Sequence, residues 1–254
     1  MHMVNLLLCG CNGRMGRIVT ACVKERCDCD IVAGVDLNTE SPAGYPVYAN
    51  PRNCMASPDV VIDFSHPSAL EGVLAYAKER RIPVVIAATG YTEEQTAKIR
   101  AAAAEIPVFF SANMSMGVNL LAELCRKAAA VLGNDFDVEI IEKHHNQKVD
   151  APSGTALMLA KAVEEGLDYE PTYVYDRHAV RQKRDKKEIG FSSIRGGNIV
   201  GEHEVLFAGH DEVVTISHSA RSKEVFAVGA VNAALFLVGK PAGMYTMTDL
   251  VSAL

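Results

Sequence analysis

Residues 142–155 bring together side chains that can move a proton. The stretch reads Glu-Lys-His-His-Asn-Gln-Lys-Val-Asp-Ala-Pro-Ser-Gly-Thr and follows a segment with the alternation of a strand. A histidine that titrates near neutrality suits general acid–base chemistry, so His144 and His145 are candidates. Lys148 adds a compact positive charge and a further exchangeable proton. The stretch therefore predicts proton transfer beside an anionic ligand.

The end of this stretch predicts where the anion binds. Ser153 has the side chain of a helix N-cap, and a helix is expected to begin around Thr155. The amides of Gly154 and Thr155 would then point out of the helix end and form a nest for a carboxylate.

Two other interpretations of the stretch stay open on the residues alone. Paired histidines and a lysine are also typical of a solvated surface loop. A zinc site is less consistent with the pattern, because His-His-x-x-Lys lacks the His-Glu-x-x-His spacing and no cysteine follows Cys125. We therefore expect no metal.

A glycine-rich turn predicts a nucleotide site near the N-terminus. Gly10-Cys-Asn-Gly-Arg-Met-Gly16 follows the first apolar run and precedes a helical pattern. Glycines there let the backbone approach a pyrophosphate at the positive end of a helix. The spacing G-x-x-G-x-x-G differs from the commoner G-x-G-x-x-G, so the turn alone could be purely structural.

Asp36 strengthens the nucleotide interpretation. It ends the second apolar run, 20 residues after Gly16, where a carboxylate accepts hydrogen bonds from the adenosine ribose. Residues 37–39 are Leu, Asn and Thr, so nothing basic stands ready for the 2′-phosphate of NADP. The sequence predicts that NADH is preferred, with NADPH possible.

Two small-residue segments follow later apolar runs. Residues 87–90 read Ala-Ala-Thr-Gly and residues 111–114 read Ser-Ala-Asn-Met. Ligands of doubly wound sheets bind at the carboxyl ends of the strands, where both segments would lie. Short residues at a strand end also serve packing, so each segment alone is a weak signal.

The elements that position these residues change in character along the chain. Short apolar runs alternate with helical patterns up to about residue 112, which predicts a doubly wound, Rossmann-type parallel sheet. The centre then predicts an α+β domain with an open mixed sheet, and the charged segment 169–187 predicts a mobile surface loop. The predicted strands are 4–9, 31–35, 59–65, 83–87, 107–110, 136–143, 189–195, 199–208 and 212–218; the main predicted helices are 69–78, 92–105, 118–132 and 225–238.

Composition limits the kind of protein. The 254 residues are 49% apolar and carry a net charge of −6, which argues against nucleic acid as a partner. No apolar run approaches the roughly 20 residues of a membrane span, so no membrane partner is expected. The seven cysteines show neither metal-ligand nor disulfide spacing, which favours reduced thiols and a cytoplasmic location.

The glycine turn and the 142–155 stretch together resemble the dihydrodipicolinate reductases (4-hydroxy-tetrahydrodipicolinate reductases). The resemblance extends to Asp63-Phe-Ser65, Ser115-Met-Gly-Val-Asn119 and Arg195-Gly-Gly-Asn-Ile-Val-Gly-Glu-His203. It implies a dinucleotide-binding domain (1–114 and 220–254) and a substrate-binding and oligomerisation domain (115–219) that assembles a homotetramer. The implied reaction is reduction of a cyclic dicarboxylate, 4-hydroxy-tetrahydrodipicolinate, in lysine and diaminopimelate biosynthesis.

The resemblance also implies residue roles. His144 would be the proton donor or acceptor, Lys148 the proton donor, and His145, Gly154 and Thr155 would hold the substrate carboxylates. The implied cofactor-binding residues are Gly10, Cys11, Asn12, Gly13, Arg14, Met15, Asp36, Ala87, Ala88, Thr89, Ser111, Ala112, Asn113 and Met114.

The chain departs from the family pattern in two places. Leu37 stands where many members have an arginine that can meet the 2′-phosphate, and Ala87-Ala88 replaces the more usual Gly-Thr. The first departure favours NADH over dual cofactor use.

Two other functions stay compatible with a nucleotide fold. One is a non-catalytic dinucleotide sensor, which the 142–155 stretch disfavours. The other is a different two-domain dehydrogenase, such as an aspartate dehydrogenase or a homoserine-type enzyme. Thiol-dependent aldehyde oxidation is disfavoured because no cysteine follows Cys125.

Overall fold

The structure is a computed structural model that describes residues 3–253. The chain divides into two compact units at Ser115/Met116 and Ser222/Lys223. Unit 1 contains the residues up to Ser115 and those from Lys223 onward, and unit 2 is Met116–Ser222. Among the described residues, no helix has both the length and the apolar character needed to cross a bilayer.

Unit 1 is built on a seven-stranded parallel sheet, and elements are numbered here in chain order. Its elements are β1 Val4–Cys9, α1 Arg14–Lys24, β2 Cys29–Val35, β3 Val47–Tyr48, β4 Val60–Asp63, α2 Leu70–Arg80, β5 Val84–Ile86, α3 Glu93–Ala102, β6 Pro107–Phe110, α6 Glu224–Leu237, β12 Gly243–Tyr245 and α7 Met247–Ser252. The sheet order is β12-β6-β5-β4-β1-β2-β3. From β1 the chain first adds strands on one side of the sheet (β2 and β3) and then on the other (β4, β5 and β6). The switch point between β1 and β4 is where doubly wound sheets bind ligands.

Apolar runs explain this sheet. β1, β4 and β5 are almost entirely buried because helices cover both faces of a parallel sheet. Thr92 and Gln95 form the predicted capping box at the start of α3. The Rossmann-type sheet predicted from the sequence is confirmed, whereas the short elements β3, β12 and α7 were not predicted.

Unit 2 pairs a mixed five-stranded sheet with two helices. Its elements are α4 Met116–Leu132, β7 Asp137–His144, α5 Gly154–Gly166, β8 Thr172–Val174, β9 Glu188–Arg195, β10 Gly201–Ala208 and β11 Val213–Ala220. The sheet order is β11-β10-β7-β9-β8, with β7, β8 and β9 parallel and β10 antiparallel to both its neighbours. The predicted open mixed sheet is confirmed.

The alternation of β7 and β10 gives the unit 2 sheet two different faces. One face, called here the inner face, packs on α4 and α5 through residues such as Ile140, Val205 and Phe207. The other, the outer face, carries Lys143 paired with Glu204, whose nitrogen and oxygen are 3.0 Å apart. Side chains two residues apart on β7 therefore share a face, which fixes where its polar residues point.

The prediction of a mobile loop over 169–187 is wrong for part of that segment. Residues 172–174 form β8, which pairs with β9. Arg184 binds Asp137 at 2.9 Å and the carbonyl oxygen of Val138 at 2.8 Å. The charges that suggested a solvated loop instead attach the segment to β7.

Candidate active site

The polar cluster of unit 2 is centred on β7, where strand alternation puts Glu142 and His144 side by side on the inner face. Both side chains are buried, and Glu142 is only 1% exposed. His144 Nδ1 lies 2.6 Å from Glu142 Oε2. A carboxylate and an imidazole therefore meet out of contact with bulk water.

Arg195 keeps the buried carboxylate charged. Its two terminal nitrogens donate to both oxygens of Glu142 at 2.7 and 2.8 Å, a fork-on-fork ion pair. Burial alone would raise the pKa of Glu142, but hydrogen bonds from Arg195, His144 and Ser193 together lower it to about 2. Glu142 is thus an anion at any physiological pH.

His144 is neutral at rest. Burial is the largest influence and lowers its pKa, outweighing the nearby Glu142 carboxylate, which raises it. Lys148 and Arg195 lower the pKa of His144 further because they are positively charged. A neutral imidazole in this position can accept a proton and return it.

A second imidazole, His203 of β10, lies against the first. The ring centroids of His144 and His203 are 5.2 Å apart in an edge-to-face arrangement. His203 Nε2 is 2.9 Å from Ser153 Oγ, and burial lowers the pKa of His203 to about 4. This imidazole is therefore neutral and links the β-sheet to the start of α5.

The N-terminus of α5 adjoins this cluster through Ser153, which contacts Glu142 and His203. Ser153 is the N-cap, and its hydroxyl oxygen accepts a hydrogen bond of 3.1 Å from the amide of Ala156. Gly154 and Thr155 are the first two helical residues, and no acidic residue lies in the first turn. The helix end has a positive dipole, and its first turn carries no acidic side chain of its own, which suits a carboxylate ligand at Gly154 and Thr155.

Lys148 and His145 lie in the turn that joins β7 to α5. The Lys148 amide donates to the carbonyl of His145 at 3.1 Å, and its ammonium nitrogen lies 2.8 Å from Asp150 Oδ1. The hydrogen bond from Lys148 lowers the pKa of Asp150. The structure thus places the half-buried Lys148 in an ion pair with the exposed Asp150 and leaves His145 half-buried as well.

The residues of 3–253 contain no group of three or more histidine, cysteine, aspartate or glutamate side chains arranged to hold a metal ion. The buried Glu142 accepts hydrogen bonds from Arg195, His144, Ser153 and Ser193.

In unit 1 the glycine turn lies between β1 and α1. Gly10 has φ +75°, and a Cβ there would stand 2.7 Å from the carbonyl of Phe64. A Cβ on Gly16 would stand 2.2 Å from the carbonyl oxygen of Gly10. Gly13 caps α1 without a side-chain hydrogen bond, so the helix end presents backbone amides rather than a side chain. The cradle fits a pyrophosphate.

Asp36 holds this turn in place. One of its carboxylate oxygens accepts the Asn12 amide at 3.0 Å, and the other accepts the Asn38 amide at 3.2 Å. Leu37, the next residue, is 95% exposed. The carboxylate therefore stands beside the glycine turn, where a ribose hydroxyl would meet it.

Two cavities lie at the carboxyl edge of the unit 1 sheet and share the wall formed by residues 64–66. The larger, about 450 Å³, is lined by Gly10, Gly13, Asp36 and Leu37 among others. The other, about 440 Å³, is lined by Met15, Ala87, Ala88, Thr89, Ser111, Ala112, Asn113 and Met114, with Phe226 of α6. Cys11, Asn12 and Arg14 line neither cavity, and Cys11 is buried with its sulfur toward Gly34.

Sequence reasoning gave no role to the wall residues or to the partners of His144. Asp63 is fully buried, and its carboxylate accepts the amide and the hydroxyl of Ser65, which shapes the shared wall. Burial raises the pKa of Asp63. In unit 2, the Glu-x-His spacing at 142 and 144 on a predicted strand was an available signal that both side chains share one face. Nothing local indicated Arg195 or His203.

Two family models cover almost the whole chain. The model described as dihydrodipicolinate reductase, N-terminus, matches residues 4–114, and the model described as dihydrodipicolinate reductase, C-terminus, matches residues 117–251.

Known relatives and a solved structure carry the same family name. The chain is 51% identical over 249 residues to a 4-hydroxy-tetrahydrodipicolinate reductase of Caldanaerobacter subterraneus subsp. tengcongensis, covering 98% of each protein. It is 47% identical over 251 residues to a protein of the same name from Clostridium tetani, covering 99% of this chain and 98% of the relative. A dipicolinate-bound dihydrodipicolinate reductase from Paenisporosarcina sp. TG-14 has the same fold, with a TM-score of 0.82 at 24% identity over 100% of both chains.

Proposed function

Because the chain belongs to the dihydrodipicolinate reductase family, we propose that its two units divide one reaction, unit 1 binding the coenzyme and unit 2 the substrate. The enzyme reduces 4-hydroxy-tetrahydrodipicolinate to tetrahydrodipicolinate with NAD(P)H, in lysine and diaminopimelate biosynthesis. The assignment of the substrate to unit 2 is carried by the buried His144–Glu142 pair beside the N-terminus of α5.

Unit 2 binds the dicarboxylate through charge and backbone amides. The amides of Gly154 and Thr155 receive one carboxylate, and the half-buried His145 lies in the preceding turn, within the same segment. The related enzyme from Paenisporosarcina binds dipicolinate, a cyclic dicarboxylate, which supports this class of ligand. His144 exchanges a proton with the bound ring, and Lys148 donates a proton once it leaves Asp150.

Unit 1 binds the dinucleotide through its glycine turn. The amides at the start of α1 hold the pyrophosphate, Asp36 accepts ribose hydroxyls, and the segments 87–89 and 111–114 bound the nicotinamide side of the cavity. The fully buried Asp63 fixes the wall between the two cavities. When bound, the reduced nicotinamide supplies the hydride.

NADH is the preferred coenzyme. The 2′-phosphate of NADPH would lie near the Asp36 carboxylate, and within residues 3–253 the lining of the larger cavity includes no lysine or arginine. A second anion beside Asp36 is therefore repelled without a compensating positive charge. A higher kcat/KM with NADPH than with NADH would contradict this preference.

The enzyme is a homotetramer that assembles through the outer face of the unit 2 sheet. Both helices of unit 2 pack on the inner face, and the outer face leaves Ile194 47% and Val213 59% exposed. Apolar side chains on an uncovered sheet are typical of an interface.

The proposed roles are tested by turnover of the purified enzyme with enzymatically generated substrate, followed by NADH absorbance. We expect His144→Ala and Lys148→Ala each to lower kcat by about 10²-fold or more, because acid–base groups contribute at least that much. His210→Ala is the control, since that histidine is exposed in the turn after β10. Turnover of His144→Ala or Lys148→Ala within about threefold of wild type would show that the role given to that residue is wrong, and absence of turnover in wild type would favour a non-catalytic sensor.

A further inference from the structure

Glu142 is the point where hydrogen bonds from His144, Arg195, Ser153 and Ser193 converge. Its Oε2 accepts from His144 Nδ1 at 2.6 Å and from Arg195 at 2.8 Å. Its Oε1 accepts from the Ser153 amide at 3.2 Å and from Arg195 at 2.7 Å. One buried carboxylate thus contacts the imidazole assigned to proton transfer and the N-cap of the helix assigned to carboxylate binding.

The charge of this carboxylate decides which nitrogen of His144 carries the proton. An ionised carboxylate only accepts hydrogen bonds, so a neutral His144 must carry its hydrogen on Nδ1 to donate to it. The other ring nitrogen, Nε2, is then left with a lone pair. Nε2 lies 3.1 Å from the position that a Cβ on Gly201 would occupy, so the absence of a side chain there keeps its surroundings open.

We propose that Glu142, clamped by Arg195, is a positioning residue. It fixes His144 as the Nδ1–H tautomer and holds the Nε2 atom of His144 at a fixed position relative to the N-terminus of α5. The proposal rests on the proposed function, in which His144 exchanges a proton with the substrate. Arg195 acts on His144 only through Glu142, because it keeps that carboxylate ionised and fixes its orientation by contacting both oxygens. His203 completes the frame by contacting Ser153 and the edge of the His144 ring.

The substitution Glu142→Gln separates this role from a simple ion pair. An amide NH₂ at the Oε1 position would face two donors, the Ser153 amide and Arg195. At the Oε2 position it would face one fixed donor, Arg195, and His144, which can turn from donor to acceptor by moving its proton to Nε2. The Ser193 hydroxyl does not decide between the two positions, because it can accept as well as donate. The glutamine is therefore expected to place its NH₂ toward His144 and to stabilise the wrong tautomer.

Kinetics and nitrogen NMR of histidine side chains measure the expected change. In wild type, the ¹⁵N shifts of His144 should show a protonated Nδ1 and an unprotonated Nε2 at pH 8. In Glu142→Gln the pattern should reverse and kcat should fall by about 10²-fold or more, as wrong-tautomer variants of buried carboxylate–histidine pairs do. The pH limb of kcat that follows His144 should also move to lower pH, because Glu142 raises the pKa of His144 whereas Lys148 and Arg195, the other charges facing it, lower it.

Glu139→Gln is the matched control. Glu139 lies on the same strand but on the outer face, and it pairs with Arg177 and Arg184. The same substitution there breaks ion pairs without touching His144, so kcat within about threefold of wild type and an unchanged His144 tautomer are expected.

The outcomes distinguish this proposal from the one it rests on. Loss of turnover in His144→Ala with full turnover in Glu142→Gln would overturn the positioning role alone. Full turnover in His144→Ala would remove the acid–base role and the positioning role with it. Should Glu142→Gln fail to fold, the wild-type spectrum still decides, because an Nε2–H tautomer of His144 at pH 8 would overturn the proposal.

Discussion

Asp36 uses both of its carboxylate oxygens to hold the backbone on either side of the proposed coenzyme site. Each oxygen accepts a hydrogen bond from one backbone amide, that of Asn12 or that of Asn38, and keeps a further lone pair, which in the proposed function accepts from a ribose hydroxyl. The carboxylate is therefore held in position before any coenzyme arrives. Under the proposed function, the choice between NADH and NADPH depends on the residue beside Asp36, and Leu37 carries no charge.

Leu37→Arg is expected to shift the coenzyme preference toward NADPH. The guanidinium would supply the positive charge that a 2′-phosphate needs beside Asp36, which should raise kcat/KM for NADPH by about tenfold, or about 1.4 kcal/mol. Steady-state kinetics with both coenzymes measures the change. Leu37→Met is the control, since it alters the side chain without adding charge, and an equal gain in both variants would contradict the electrostatic explanation.

His203 is expected to make the enzyme sensitive to acid. Burial lowers the pKa of His203 to about 4, whereas an unfolded histidine titrates near 6.5. The folded state therefore resists protonation of His203. The contribution of neutral His203 to the free energy of unfolding is fully present above about pH 6.5 and is lost as the pH falls toward 4. At pH 5 this loss is about 2 kcal/mol.

Denaturant unfolding at pH 7 and pH 5 measures this loss in wild type and in His203→Gln. The variant should lose less stability between the two pH values by about that amount. Glu142 does not contribute to the difference between pH 7 and pH 5. Its pKa is lowered to about 2, so its contribution to the free energy of unfolding is lost only below about pH 4.5. Equal acid sensitivity in both proteins would contradict the assignment to His203.

At the scale of elements, the segment between α5 and β9 shows how charge can order a stretch that lacks apolar residues. The guanidinium of Arg184 donates to the carboxylate of Asp137 at 2.9 Å and to the carbonyl oxygen of Glu188 at 2.6 Å. Its five-donor guanidinium satisfies several acceptors in a fixed plane, so one residue holds the loop against two strands.

Arg184→Ala is expected to release this segment. The loss of several charge-assisted hydrogen bonds should cost about 2 kcal/mol in the free energy of unfolding. Hydrogen exchange of residues 175–187 should rise while that of β10 stays unchanged, which mass spectrometry measures. Lys183→Ala is the control, since it removes the same charge from an exposed neighbour; equal exchange in the two variants would refute the role of Arg184.

Local patterns predicted the long elements and missed the short ones for a physical reason. β1 and β4 are buried apolar runs, and β7 and β10 alternate, so their sequences contain the signal of their environment. β8 has three residues, and it is a strand only because β9 offers a free edge to pair with. Such pairing depends on residues distant in the chain, which no window of local sequence contains.

The candidate site divides in the same way. The glycine turn, Asp36 and the 142–155 stretch are local, and they were singled out from residue type and spacing. Arg195 is 53 residues from Glu142, and the two meet because β7 and β9 pair in a register that places Arg195 opposite His144. Sheet register is a tertiary property, so the clamp on Glu142 could be found only in the fold.

At the scale of the whole molecule, the unit 2 sheet presents its two faces to different environments. The inner face carries the Glu142–His144 pair, and the outer face carries Ile194 and Val213 between charged neighbours such as Lys143. A sheet that packs on another copy through one face keeps its strands fixed for the site on the other. We therefore expect assembly and catalysis to share one scaffold.

Ile194→Asp combined with Val213→Asp is expected to break the proposed tetramer into smaller species. Two charges on each chain would be buried without partners at the proposed interface, which costs several kcal/mol per charge and exceeds what the remaining contacts offset. Light scattering coupled to size exclusion measures the mass of wild type and variant. Val131→Asp is the control, because that valine is 83% exposed on α4, away from the sheet. A wild-type mass of a single chain, or a double variant that keeps the mass of four chains, would show that the outer face is not the interface.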